Sequence, residues 1–257
     1  KKLQAVHAGY PKEVEQGGHN MLQGVIKARE PYIYQGEKGA DLPWRVVVVA
    51  KEDRQLADND LVWRLSAPST GDYSWVRPGK VAWDWWNDWN ITGVDFESGV
   101  NNDTYKYYID FAAENGIEYV ILDEGWSVNK AADLMQVVPE IDLPMLCKYA
   151  ADKGVGLVLW AGYWAFNRDM DAICEHYSKM GVVGWKIDFM DRDDQRMVAF
   201  YERAARTAAK YHQFVDFHGA FKPSGLTRTY PNVLNHEGVA GLENLKWAKK
   251  GYDQVTY

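Results

Sequence analysis

The chain has 257 residues, 47% of them hydrophobic, enough for one large core or for one domain with part of another. Its formal net charge of -7 argues against nucleic acid or an anionic membrane surface as the main partner, since both select basic faces. No apolar run has the length of a membrane-spanning helix. The opening stretch KKLQAVHAGYPKEVEQ reads neither as a secretory leader nor as a natural protein start, so a fragment is expected.

The first seventy residues carry no helical period. WRVVVVA (44–50) and LVWRL (61–65) read as short β segments between turn-rich polar stretches. Residues 1–72 are therefore expected to be the C-terminal part of an antiparallel β-sandwich, with SAPSTGDYSWVRPGK (66–80) as the linker out of it.

From about Tyr73 strands and helices alternate. KVAWDWW (80–86) is strand-like, and NNDTYKYYIDFAAENG (101–116) is helical with Gly116 placed to stop it. IEYVILDEGW (117–126) is a strand, and IDLPMLCKYAADKG (141–154) a helix with Asp142 as cap and Pro144 in its first turn. VGLVLWAGYW (155–164), a helix over 168–180 and VVGWKIDFM (182–190) follow. A long helix over about 192–212 leads to FVDFHGA (214–220), and NVLNHEGV (232–239) is the sixth strand. Such alternation means parallel βαβ units, which an open doubly wound sheet and a (β/α)₈ barrel both satisfy.

Each of these strands ends in polar or aromatic groups: Asp84, Asp123 with Glu124, Tyr163, Asp188, His218 and Glu237. Functional groups at consecutive carboxyl ends are the layout of a barrel, and no glycine-rich dinucleotide or phosphate fingerprint follows the first strand. Residues 73–257 are accordingly expected to form a (β/α)₈ barrel that is incomplete at its C-terminal end, with six strands present.

Lys186 and Asp188 lie two apart on the fourth strand and so share its inward face, while Ile187 faces the helices. The pair reads either as a buried structural ion pair or as a lysine that keeps a reactive aspartate ionised. Asp191, Asp193 and Asp194 come after the strand, where they cap or complement the next helix. Glu237 closes the sixth strand and Glu243 lies six residues on. Two carboxylates there suit a hard cation held by oxygens, an acid/base pair for glycoside cleavage, or both. Asp84 among Trp83, Trp85 and Trp86, Asp123 with Glu124 and Trp126, and His218 are candidates for binding sugar hydroxyls, each weighed evenly against a satisfied structural hydrogen bond. Twelve Trp and sixteen Tyr suit stacking on sugar rings, but composition alone favours a large core with rich aromatic packing. His7, His19, His176 and His212 show no metal-ligand spacing and read as surface or packing residues. Cys147 and Cys174 sit on helical patterns and read as buried apolar residues.

KVAWDWWNDWNITGVDF, YVILDEGWS, GWKIDFMDRDDQ and RTYPNVLNHEGVAGLE, in that order, resemble family 97 of the glycoside hydrolases. The likeness is tight in the strand ends over residues 73–247 and looser over the first 72. It implies a calcium-dependent, exo-acting α-glycosidase, exported to the periplasm or cell surface of a bacterium, that acts on an oligosaccharide or other α-glycoside. Inverting members, α-glucosidases, carry a glutamate directly after the fifth-strand histidine, where this chain has Gly219. Retaining members, α-galactosidases among them, carry instead an aspartate nucleophile that matches Asp188. The resemblance further implies Glu243 as general acid/base, with Glu237 and also Glu243 on calcium, and the remaining calcium ligands upstream of Lys1. Lys186, by likeness to the α-galactosidase clan, would bind a sugar hydroxyl. A retaining α-galactosidase is the expected function, with an inverting α-glucosidase or a non-catalytic sugar-binding fragment as the alternatives.

Overall fold

The computed structural model describes residues 8–17, 23–40, 44, 46–239 and 241–246. The expectations for His7 and His19 fall outside them. The chain opens with an antiparallel pair, β1 (Pro11–Gly17) and β2 (Gln23–Arg29), followed by two short helices, α1 (Arg54–Ala57) and α2 (Leu61–Leu65). Antiparallel β structure is thus present here, but not where the sequence placed it. Residues 44 and 46–50 form no strand, and Val47 and Val49 stand 85% and 90% exposed. Among the described residues this apolar run has no partner strand. The run 61–65 is helical because a five-residue stretch with four apolar residues fits either period, and here the first turn is closed by an Asp60–Arg64 ion pair of 2.8 Å.

The remainder alternates as expected. β3 (Val81–Trp83), α3 (Asn102–Glu114), β4 (Tyr119–Leu122), a small antiparallel pair of β5 (Ser127–Val128) and β6 (Asp133–Val137), and α4 (Leu143–Asp152) come first. β7 (Gly156–Gly162), α5 (Tyr163–Met180), β8 (Gly184–Asp188), α6 (Gln195–Lys210), β9 (Phe214–Phe217), α7 (Leu226–Thr229) and β10 (Val233–His236) complete the described chain. Predicted caps operate: Asp142 accepts from the Met145 amide and Asp194 from the Met197 amide, each at 3.1 Å. The β5–β6 pair was not anticipated, being too short for a periodic signal. α5 starts at Tyr163 rather than 168 and bends at Asp169, whose φ is -126°.

β3, β4, β7, β8, β9 and β10 form one parallel sheet in strict chain order. A doubly wound sheet reverses its order at a switch point, and this one never does, so the six strands are those of a partial (β/α)₈ barrel. Helices α3–α6 cover the outside. Trp126, Trp160 and Trp185 are at most 1% exposed, with Phe166 and Tyr177 edge-on to Trp185 at 5.3 and 5.5 Å. Cys147 and Cys174 are buried free thiols whose pKa values burial pushes up to about 12. Aromatic packing in the core therefore accounts for three of the twelve tryptophans.

Candidate active site

The parallel strands bring their carboxyl ends to one rim. β8 places Lys186 and Asp188 on its inner face, with Ile187 between them fully buried on the helix side. Lys186 Nζ lies 2.5 Å from Asp123 Oδ2 at the end of β4 and 3.7 Å from Asp188 Oδ2. The Trp83 indole donates to the same Asp123 oxygen at 2.6 Å, and its ring lies 4.2 Å beneath the ammonium. Burial would lower the Lys186 pKa, but the charges of Asp123 and then Asp188 outweigh it and hold the pKa above the ordinary value. Asp188 accepts from the Trp160 indole at 3.2 Å and from the Phe189 amide at 2.7 Å. Its pKa is nevertheless raised, because burial outweighs Lys186 and His218. Lys186 does favour the ionised form of Asp188, as expected, but its ammonium is bonded first to Asp123 and burial of Asp188 outweighs its effect.

β9 repeats the same spacing one strand over. Asp216 and His218 share the inner face and flank Phe217, which is fully buried. His218 Nε2 is 3.3 Å from Asp216 Oδ2, and its Nδ1 is 3.3 Å from Glu237 Oε2 beyond β10. Burial alone would lower the histidine pKa, but these two carboxylates raise it to about 10, making it an imidazolium. In return Asp216 and Glu237 are held below ordinary carboxylate values against the pull of burial.

Glu243 sits on a single 3₁₀ turn, Leu242–Lys246. Burial, and then the charge of Glu237, raise its pKa; Lys186 and His218 oppose, and Asp188 adds to the rise. One carboxyl group at this rim is thus held toward its protonated form within the field of Asp188. Lys246, on the same turn, lies 3.7 Å over the Trp85 ring and donates to the Trp85 carbonyl, pinning the turn to the segment after β3.

For a cation, Glu237 and Glu243 supply hard oxygen donors of the type calcium takes. Among the described residues no group of three or more acids, histidines or cysteines is arranged to hold a metal. The two glutamates therefore fit in donor type and provide only part of a shell of roughly six to eight oxygens.

Two expected substrate contacts are displaced. Asp84 is fully buried and accepts from the Trp85 amide at 2.7 Å, the Tyr105 hydroxyl at 2.8 Å, the Trp89 indole at 2.9 Å and the Asp123 amide at 3.1 Å. Burial and the Asp123 charge push its pKa up to about 7 against those donors. Its role is to fix the backbone that carries Asp123. Trp126 is likewise fully buried, donating to the Trp160 carbonyl at 2.9 Å and packed edge-on against Tyr177. Both are structural because their polar atoms are consumed inside the fold. Of the remaining histidines, His176 packs edge-on to Tyr177 and His212 stacks on Trp75.

Asp216 and Trp160 belong to the rim and were missed. Asp216 was legible as the partner of His218 at the same two-residue spacing that singled out Lys186 and Asp188. The Trp160 indole had no such signal, since its strand is apolar throughout.

Paired acids on a barrel's carboxyl rim, one held toward its protonated form, are the equipment of a glycoside-cleaving enzyme class. The chain belongs to glycoside hydrolase family 97, whose family model matches residues 85–239. It is 61% identical over all 257 residues to a protein of Bacteroides thetaiotaomicron named a retaining alpha-galactosidase, and it spans 39% of that protein's length. A family 97 enzyme from Pseudoalteromonas sp. strain K8, solved with acarbose, is 27% identical at a TM-score of 0.67, over 77% of this chain and 35% of that one. A beta-arabinopyranosidase structure is 30% identical at a TM-score of 0.57, over 72% of this chain and 29% of that one.

Proposed function

We propose that this chain carries the catalytic carboxylates of a retaining exo-α-galactosidase. The ionised Asp188 attacks the anomeric carbon of a terminal α-galactoside while Glu243 gives its proton to the departing glycosidic oxygen. Glu243, now a carboxylate, then takes a proton from water, whose oxygen displaces Asp188 and restores the α configuration. Asp123 and Lys186 form a polar floor beside the nucleophile. The observation that carries the reading is the placement of Asp188 at the rim in the electrostatic field of a Glu243 whose pKa is raised. The 61% identity to a protein named a retaining alpha-galactosidase supports the choice of sugar and stereochemistry.

Calcium held by Glu237 and Glu243 would supply positive charge near the leaving-group side of the site. The His218 imidazolium on one oxygen of Glu237 leaves that residue's other oxygen for such a cation. Residues 1–72 as part of a β-sandwich, and a periplasmic or cell-surface location, complete the reading by family likeness. Proton NMR of the first-formed sugar tests it: α-galactose appearing before its β anomer supports retention, and β-galactose appearing first overturns it.

A further inference from the structure

The turn that follows the nucleophile is folded against a residue with no side chain. Phe189 and Asp191 both adopt left-handed backbone angles, φ 63° and 47°, a region that L side chains rarely enter. The Phe189 amide, at the first of these, donates to Asp188 Oδ1 at 2.7 Å, so the strained turn and the nucleophile's orientation are one arrangement. Asp191 is fastened across to β9 by its amide, which donates to the Gly219 carbonyl at 2.9 Å. Gly219 is itself left-handed at φ 56°, and its own amide points the other way, 3.4 Å from Glu237 Oε2. A Cβ at 219 would stand 2.8 Å from Asp191 Oδ1, 3.2 Å from the Phe189 nitrogen and 3.3 Å from the Phe189 Cα. Two of those three contacts are backbone and cannot swing aside.

We infer that Gly219 is a positioning residue of the nucleophile: the absence of a Cβ there lets the Phe189–Asp191 turn close on β9 and aim Asp188. The inference rests on the reading of Asp188 as nucleophile and adds the device that aims it. Any side chain at 219 acts twice, by forcing an L residue into a positive φ and by pushing the turn off the strand end. Because the displaced atoms are those of Phe189, whose amide holds Asp188 Oδ1, the loss falls on attack at the anomeric carbon. Binding of the sugar elsewhere on the rim is left largely intact.

The experiment is steady-state kinetics of Gly219→Ala in the intact protein with two aryl α-galactosides, one with a poor and one with a highly activated leaving group. Gly219→Ala is expected to lower kcat on the order of 100-fold on both, with KM changed by less than about threefold, as a misplaced reacting group does. Recovery of rate by the activated leaving group alone would place the defect at the acid instead and overturn the inference. The double variant Gly219→Ala with Asp191→Gly removes the 2.8 Å contact and supplies a residue suited to φ 47°; it is expected to regain at least tenfold of the lost kcat. No recovery in a folded double variant, or wild-type kcat in Gly219→Ala, overturns the proposal. A crystal structure of Gly219→Ala with residues 189–191 unmoved overturns it independently of activity. A wild-type protein inert on α-galactosides would instead overturn the functional reading.

Discussion

Lys186 is bonded to Asp123, not to the Asp188 two residues along its own strand: the ammonium is 2.5 Å from the first carboxylate and 3.7 Å from the second. The contact reaches from β8 across β7 to the end of β4, so it ties two non-neighbouring strands at the rim. Lys186→Met leaves Asp123 a buried carboxylate without its cation, which costs about 3–5 kcal/mol for a pair broken from one side. Chemical denaturation checks this, and an unfolding free energy within 1 kcal/mol of wild type, on the order of the smallest meaningful change, would refute the pairing.

Asp188→Asn removes the nucleophile but keeps its size and can still accept from the Trp160 indole. Turnover of an aryl α-galactoside is expected to fall on the order of 10⁴-fold or more with substrate affinity retained. Residual turnover above a hundredth of wild type, roughly, would move the nucleophile elsewhere.

The pH profile follows from the two directions of shift. Asp188 must be ionised, and burial raises its pKa, so the acid limb of kcat/KM lies above the ordinary aspartate value of 3.8. Glu243 must begin protonated, and its pKa is raised above 4.5, so activity falls as pH rises through that higher value. Glu243→Gln should erase the basic limb and be rescued for the first step by an activated leaving group. A basic limb that survives the substitution assigns the acid to another residue.

Removal of a bound cation has a signed effect. Calcium beside Glu243 would stabilise its anion, so exhaustive chelation should shift the basic limb upward in pH while lowering kcat. Restoration by added calcium, but not by magnesium, is the expected control, because the smaller ion demands octahedral geometry. Kinetics unchanged by chelation would remove the metal from the site.

Trp126 separates packing from binding. Trp126→Ala should destabilise the fold by about 3–5 kcal/mol, as large aromatic truncations in cores do. In whatever fraction folds, KM should match wild type, because the ring touches Tyr177 and the Trp160 carbonyl and no solvent. A KM rise without loss of stability would return Trp126 to the substrate.

The barrel was legible because near-continuous apolar strands and capped helices repeat a strong local signal from residue 80 onward. Lys186, Asp188, His218 and Glu237 were legible as polar groups at strand ends. Asp84 and Trp126 look the same in sequence, but one is consumed by four donors and the other lies beneath α5. Only tertiary packing distinguishes an inward polar group that faces the rim from one that faces a neighbour. The first seventy residues were read least well: the run 61–65 fits two periods, and 44–50 lacks a partner among the described residues.

The alternation on β8 and β9 has an evolutionary reading. Lys186, Asp188, Asp216 and His218 face the rim, while Ile187 and Phe217, each at 0% exposure, face the helix layer. Chemistry and fold stability are therefore encoded in interleaved codons of the same short segments, and selection acts on the two sets through different phenotypes. Exchanging the rim-facing set for another specificity while conserving the helix-facing set is open to drift one base change at a time, and a single-residue deletion in either strand swaps the two sets and loses both at once.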